Sequence, residues 1–87
     1  MNQAILFNDD LQWHCASEQL TQSALYSGAI IRCVIHLSYL KSKGFDGDLD
    51  ENVIHDFCAL ISFDIEEDAQ QAIEDELISD EGVIELN

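Results

Sequence analysis

The sequence predicts a single α+β domain over residues 1–87, built as two layers: an antiparallel sheet of three to four strands with one long helix packed across it. Strand-forming residues concentrate in the first part, residues 1–43. The second part, residues 44–87, contains a long run with an apolar residue at every third or fourth position. The hydrophobic fraction of 47% is that of a globular chain with a modest core.

The β-rich part is predicted to begin with a strand over Gln3–Phe7, which an Asn-Asp-Asp turn ends. No element is assigned around Trp13. Leu20–Tyr26 and Ala29–His36 are predicted to pair as a hairpin, because a Ser-Gly dipeptide separates two strand-like runs.

The remaining elements are helical until the last few residues. Leu37–Lys43 is predicted as a short helix that ends at Gly44, and a long helix is predicted from Leu49 to Ile78. A glycine then ends that helix, and Val83–Leu86 forms a last strand. The apolar stripe of the long helix consists of Ile54, Cys58, Ile61, Ile65, Ala69 and Ala72.

The start of the long helix has the spacing of acids found in calcium loops. Asp46, Asp48 and Asp50 occupy the first three ligand positions of an EF-hand. However, Glu51 stands where such a loop requires glycine, and Phe57 where it requires a bidentate glutamate. Asp48 and Glu51 match a helix-capping box better, so we predict that Asp48 caps the helix and that Glu51 supports it.

The charge is unevenly distributed along the chain. Arg32, Lys41 and Lys43 are the only bases, and the formal charge of −15 arises entirely after Gly44. Contact with DNA, RNA or anionic membranes requires basic residues, so we expect none of these partners. A basic protein partner fits the charge. A homodimer through an exposed strand edge is a further alternative, although the uncompensated acids oppose the approach of like faces.

The polar side of the long helix is the predicted interaction face for such a partner. Ordinary solvation explains the same acids, and the sequence leaves both interpretations open. The face consists of Asp64, Glu67, Asp68, Glu74 and Asp75.

Metal binding is the alternative functional class. His55 and Cys58 share one side of the helix, and Cys33 or His14 would supply a third ligand. Against this, Cys33 and His36 project from opposite faces of their strand, and no pair of closely spaced cysteines exists. We therefore predict no metal and no cofactor.

Neither a catalytic residue nor a secretory signal is predicted. The chain lacks a glycine-rich phosphate loop, and no local signature orients a Cys/His pair for catalysis, so we expect a non-enzymatic protein. An odd number of cysteines without a leader indicates free thiols in the cytoplasm. The longest near-apolar stretch, Ala29–Leu37, is too short to span a bilayer.

Three segments resemble a known family. In chain order they are A-I-L-F-N-D-D-L-Q-W (residues 4–13), L-x-x-x-A-x-Y-x-G-x-x-x-R-C-x-I-x-x-x-x-L (residues 20–40) and I-E-x-x-A (residues 65–69). Together they resemble a family of short bacterial proteins catalogued as domain of unknown function 1488. The resemblance implies an opening strand, a hairpin and later helix, and it implies no activity or cofactor. The base that the family carries before the I-E pair is missing from this chain, where L-I-S-F precedes the pair.

Overall fold

A computed structural model describes residues 5–87 and shows the predicted α+β class, with a five-stranded sheet and three helices. In chain order the strands are β1 (Leu6–Phe7), β2 (Gln12–His14), β3 (Gln19–Tyr26), β4 (Ala29–His36) and β5 (Val83–Leu86). The helices lie between β4 and β5 in the chain and are α1 (Leu37–Ser42), α2 (Glu51–Leu60) and α3 (Ser62–Glu74).

The central hairpin of β3 and β4 is confirmed. Tyr26 pairs with Ala29 across the turn. Both turn residues have positive φ, 52° at Ser27 and 82° at Gly28. These angles define a type I′ turn, whose twist matches that of the paired strands.

The sheet is mixed, so the predicted antiparallel sheet of three to four strands was wrong in two respects. β5 runs parallel to β4, with Cys33 opposite Ile84. The helices form the crossover connection that two neighbouring parallel strands require. On the other side, β1 and β2 both pair with β3, and β2 contains Trp13, to which no element was assigned. Of the predicted first strand, Leu6–Phe7 form β1, and residues 1–4 lie outside the described part of the chain.

The predicted single long helix is two helices, α2 and α3, which meet at Ile61. The backbone of Ile61 leaves the helical region, with φ −106° and ψ 20°. Thirty residues of straight helix, as predicted for 49–78, would measure about 45 Å. The longest dimension of the described protein is 38 Å. A straight helix would therefore extend past the sheet, and the break lets both helices bury their apolar stripes in one core.

That core lies between the helices and the inner face of the sheet. The six largest side chains that are fully buried come from both layers of the fold, since β4 contributes two and β3, β5, α1 and α2 contribute one each. The helical layer thus completes the core that the sheet begins. These side chains are Leu20, Cys33, Ile35, Ile84, Leu40 and Ile54.

The C-terminus of α3 is closed by a Schellman motif. The backbone N–H of Leu77 donates to the carbonyl of Ala72, and that of Glu76 donates to the carbonyl of Ile73. Glu76 occupies the left-handed position of this motif with φ 61°. Glycine is the usual residue there, because a side chain in the left-handed conformation costs about 1–2 kcal/mol.

We expect Glu76→Gly to raise the free energy of unfolding by about 0.5–1 kcal/mol, because relief of the left-handed strain exceeds the entropy that glycine adds to the unfolded chain. Urea denaturation would measure the change. Glu76→Gln is the matched control, since it removes the same charge and keeps the strain. A glycine variant no more stable than the glutamine variant would contradict the assignment of strain to this position.

Candidate functional site

The acidic segment before α2 caps the helix through Asp50, so the prediction of Asp48 as the cap was wrong. One carboxylate oxygen of Asp50, Oδ1, accepts hydrogen bonds from the backbone N–H groups of Asn52 (2.9 Å) and Val53 (3.3 Å). Asp50 also has the extended backbone of a capping residue. Glu51 is then the first helical residue and adds negative charge to the positive end of the helix dipole. It does not form the reciprocal contact of a capping box, because Val53 holds the position that a glutamate would need.

The predicted interaction face falls on α3 and its C-terminal cap, where four of its five acids are exposed. Asp64, Glu67, Glu74 and Asp75 project into solvent. We call these four residues the acidic face. Asp68, the fifth predicted residue, is half-buried and differs from the others in its contacts.

Asp68 ties α3 to α1 through two contacts to one carboxylate oxygen. The hydroxyl of Tyr39 donates to Asp68 Oδ2 at 2.6 Å, and Lys43 Nζ lies 3.2 Å from the same atom. The Lys43 ammonium also sits 5.3 Å from the centre of the Tyr39 ring. Burial, followed by the hydrogen bond to Asp68, raises the pKa of Tyr39 well above its usual range. Asp68 therefore binds Tyr39 and Lys43 within the fold, and it does not belong to the exposed acidic face.

Two members of the acidic face stand where the helix itself disfavours them. Glu74 is the last residue of α3 and Asp75 is its C-cap, and no base lies in the last turn. The C-terminal end of a helix carries partial negative charge, so acids there reduce stability by about 0.3–1 kcal/mol each at low salt. Their compensation within the helix is limited to glutamine side chains: Gln70 Nε2 donates to Glu74 at 3.4 Å and Gln71 Nε2 to Asp75 at 3.0 Å.

The alternative metal site is not assembled. Cys33 is fully buried in the sheet, where burial raises the pKa of its thiol to about 12, and burial raises the pKa of the Cys58 thiol to about 11. A metal would have to displace the proton of each thiol, and burial of the thiolate opposes this. His14 lies on the outer face of the sheet, where its Nε2 is 2.9 Å from Thr21 Oγ1. Within residues 5–87, no group of three or more His, Cys, Asp and Glu side chains is placed to hold a metal ion.

His55 and Cys58 instead line a shallow hollow of about 360 Å³ between α2, α3 and the β1–β2 connection. The Nε2 atom of His55 is buried without a hydrogen-bond partner among the described residues, and it lies 3.9 Å from Glu51 Oε2. The rest of the His55 side chain is half-exposed. The hollow brings together two of the residues proposed as ligands but no third one.

The fold thus defines the class of protein: a small α+β domain with a mixed sheet, an acidic helix surface and, among residues 5–87, no helix long and apolar enough to traverse a bilayer. The chain belongs to the family described as "Protein of unknown function (DUF1488)", whose model matches residues 5–86. This confirms the family resemblance of the three sequence segments.

A solved structure agrees with this assignment. The chain is similar to a protein of unknown function from the DUF1488 family of Shewanella loihica PV-4, for which a crystal structure exists. The two share 28% sequence identity and superpose with a TM-score of 0.84, over 99% of this chain and 94% of the other. No curated protein matches the sequence.

Proposed function

We propose that the protein is non-enzymatic and cytoplasmic, and that it acts by binding a basic protein partner through the acidic face of α3. The observation that carries the proposal is the placement of Glu74 and Asp75 at the helix end where they oppose the dipole. Both acids reduce the stability of the helix, and a contact outside the chain is one function that offsets such a cost.

The distribution of bases supports the same proposal. Lys43 is engaged by Asp68, Arg32 lies on the outer face of the sheet, and Lys41 projects from α1. The acidic face thus meets no base in the part of the chain that the structure describes. All three cysteines are free thiols, which supports the cytoplasmic location.

The test compares two variants with the same change in charge. The face variant D64N/E67Q/E74Q/D75N removes the acidic face, and the control variant E18Q/D48N/D80N/E81Q removes four exposed acids elsewhere. Each protein is immobilised, and proteins from the native host are retained on it. The dissociation constant of each purified partner is then measured at about 50 and about 300 mM salt, since screening grows over this range.

We expect a basic partner whose affinity falls at least about tenfold in the face variant and much less in the control variant. The affinity of the wild-type protein should also fall with salt, because exposed charges dominate the contact. Equal losses in both variants would show that net charge alone attracts the partner, and affinity independent of salt would contradict an electrostatic interface.

A further inference from the structure

A second feature of the helical layer is an apolar groove beside α2, which we define by Phe45, Val53, Phe57 and Leu60. The groove has a volume of about 270 Å³. Its floor is the edge-to-face pair of Phe45 and Phe57, whose ring centres lie 5.1 Å apart. A closed cavity of about 150 Å³ already takes a benzene molecule, so the groove has room for one or two apolar side chains.

The groove exists because α2 is apolar on two sides. Ile54 and Cys58 point into the core, whereas Val53, Phe57 and Leu60 form a second stripe with the spacing of one helical face. This second stripe is not covered by the chain: Leu60 is 82% exposed and Val53 is 40% exposed. Leu60 and Val53 thus leave apolar surface exposed at the groove, which is a feature of interaction sites.

The loop before α2 packs closely against the side chains of the groove at Gly47. A Cβ atom at Gly47 would lie 3.0 Å from Val53 Cγ1 and 3.3 Å from the ring of Phe45. Only a glycine backbone approaches these side chains so closely without displacing them. The loop therefore forms one wall of the groove and does not fill it.

The negative charge around the groove favours a basic partner. Asp46 and Asp56 belong to its lining, and no base does. An anionic membrane surface and a second copy of this acidic chain would both meet repulsion there. A helix with apolar side chains on one face and lysine or arginine beside them matches both the groove and its rim.

We propose that the groove binds an amphipathic basic helix of a protein partner, with apolar side chains of that helix seated between Phe45, Phe57 and Leu60. The inference rests on the proposed basic partner and adds where its apolar side chains bind. Leu60 is the last residue of α2 and Asp64 lies in the first turn of α3, so the groove lies near one end of the acidic face.

The test uses two fluorescent peptides of about 18 residues, long enough to form a helix. One has leucines on a single helical face and lysines elsewhere. The other has the same composition with the leucines spread around the helix. Binding is measured by anisotropy with the wild-type protein, with Val53→Ser/Leu60→Ser, and with Ile30→Ser. Ile30 is 68% exposed on the outer face of the sheet, so its substitution is a control for loss of an exposed apolar side chain.

We expect the amphipathic peptide to bind wild-type protein at least about tenfold more tightly than the spread peptide, and to lose about tenfold in the groove variant but not in Ile30→Ser. Equal binding of the two peptides, or no effect of the groove variant, would overturn the groove. If the groove variant bound the amphipathic peptide normally and the face variant D64N/E67Q/E74Q/D75N did not, the acidic face would remain the partner site and the groove would not.

Sedimentation equilibrium tests whether a second copy of the chain occupies the groove. A wild-type dimer that becomes monomeric in Val53→Ser/Leu60→Ser would assign the groove to a second copy of the chain, and it would overturn the proposed basic helix. A wild-type monomer agrees with the proposal.

The peptide experiment also separates the two proposed surfaces. Loss of amphipathic-peptide binding in the groove variant, with full binding retained in the face variant, would support the groove and reject the acidic face as the partner site.

Discussion

Replacing Ile84 with alanine is expected to lower the free energy of unfolding by about 3–4 kcal/mol, because deletion of a buried isoleucine side chain leaves a cavity as well as losing apolar burial. Ile84 is 0% exposed and lies opposite Cys33 where β5 pairs with β4. β5 has only four residues, and its place in the sheet depends on this contact with the core. Urea denaturation at neutral pH would measure the loss as a shift in midpoint at constant slope.

Ile30→Ala is the matched control, since it makes the same chemical change in the same sheet. Ile30 is 68% exposed, so we expect a change of no more than about 0.5 kcal/mol. A loss below about 1 kcal/mol for Ile84→Ala would mean that β5 is not docked on β4 as described. A domain of this size has a total stability of roughly 4–13 kcal/mol, so the expected loss is a large part of it.

The elements that local sequence determines were predicted correctly. The β3–β4 hairpin follows from two runs of strand-forming residues around a Ser-Gly turn, and the left-handed angles at Ser27 and Gly28 are what such a turn requires. β5 was predicted with its observed bounds, Val83–Leu86. In both cases the information lies within the element and its neighbouring turn.

The errors concern contacts between distant parts of the chain. The parallel pairing of β5 depends on where the helices deliver the chain, which no pattern within residues 83–86 records. The break at Ile61 has no glycine or proline to mark it, and the apolar spacing continues across it. A straight helix of the predicted length would exceed the 38 Å extent of the described protein, so the turn reflects packing of the whole fold and not a local signal. β2 has only three residues and is defined by its pairing with β3.

The helix cap shows how two local solutions compete. Asp48 and Asp50 are both acceptable capping residues, and Glu51 three positions after Asp48 favours the first. The structure begins α2 two residues later, where the Asp50 carboxylate reaches the free N–H groups of the first turn. A carboxylate cap is worth about 1 kcal/mol in either register, so tertiary contacts of the helix decide between them.

The candidate sites were predictable to different degrees. The predicted interaction face follows from helical spacing alone, and four of its five residues are exposed. Asp68 binds residues of α1 and its C-cap, and Tyr39 lies 29 residues away from it in the chain. The sequence pattern therefore did not separate Asp68 from the exposed acids of the same helix. The groove had a visible signal, since Val53, Phe57 and Leu60 repeat at helical spacing, but Phe57 alone looks like a widening of the inner stripe.

Replacing Tyr39 with phenylalanine is expected to lower the free energy of unfolding by about 1–1.5 kcal/mol at pH 7. Hydrogen bonds to charged groups contribute about 1.5–3 kcal/mol, and water replaces part of this one because the Asp68 side chain is 42% exposed. Phenylalanine keeps the buried ring and its contact with Lys43. Tyr26→Phe, at the half-buried end of the hairpin, is the matched control and should change stability by less than about 0.5 kcal/mol.

The dependence on pH separates a contribution of the buried Tyr39 hydroxyl from a simple loss of packing by the ring. Burial and Asp68 raise the pKa of Tyr39 above its usual value near 10, so the folded protein keeps the hydroxyl protonated while the unfolded chain ionises it. The stability that Tyr39 contributes is therefore complete below about pH 10 and is lost as the pH rises further. Between pH 9 and about pH 11, the difference in unfolding free energy between the wild-type protein and Tyr39→Phe should therefore stay constant at first and narrow above about pH 10. Burial raises the thiol pKa values of Cys33 and Cys58 in both proteins, so their effect cancels in the difference. A gap that is constant over this range, or one that Tyr26→Phe reproduces, would show that Tyr39 acts through its ring and not through Asp68.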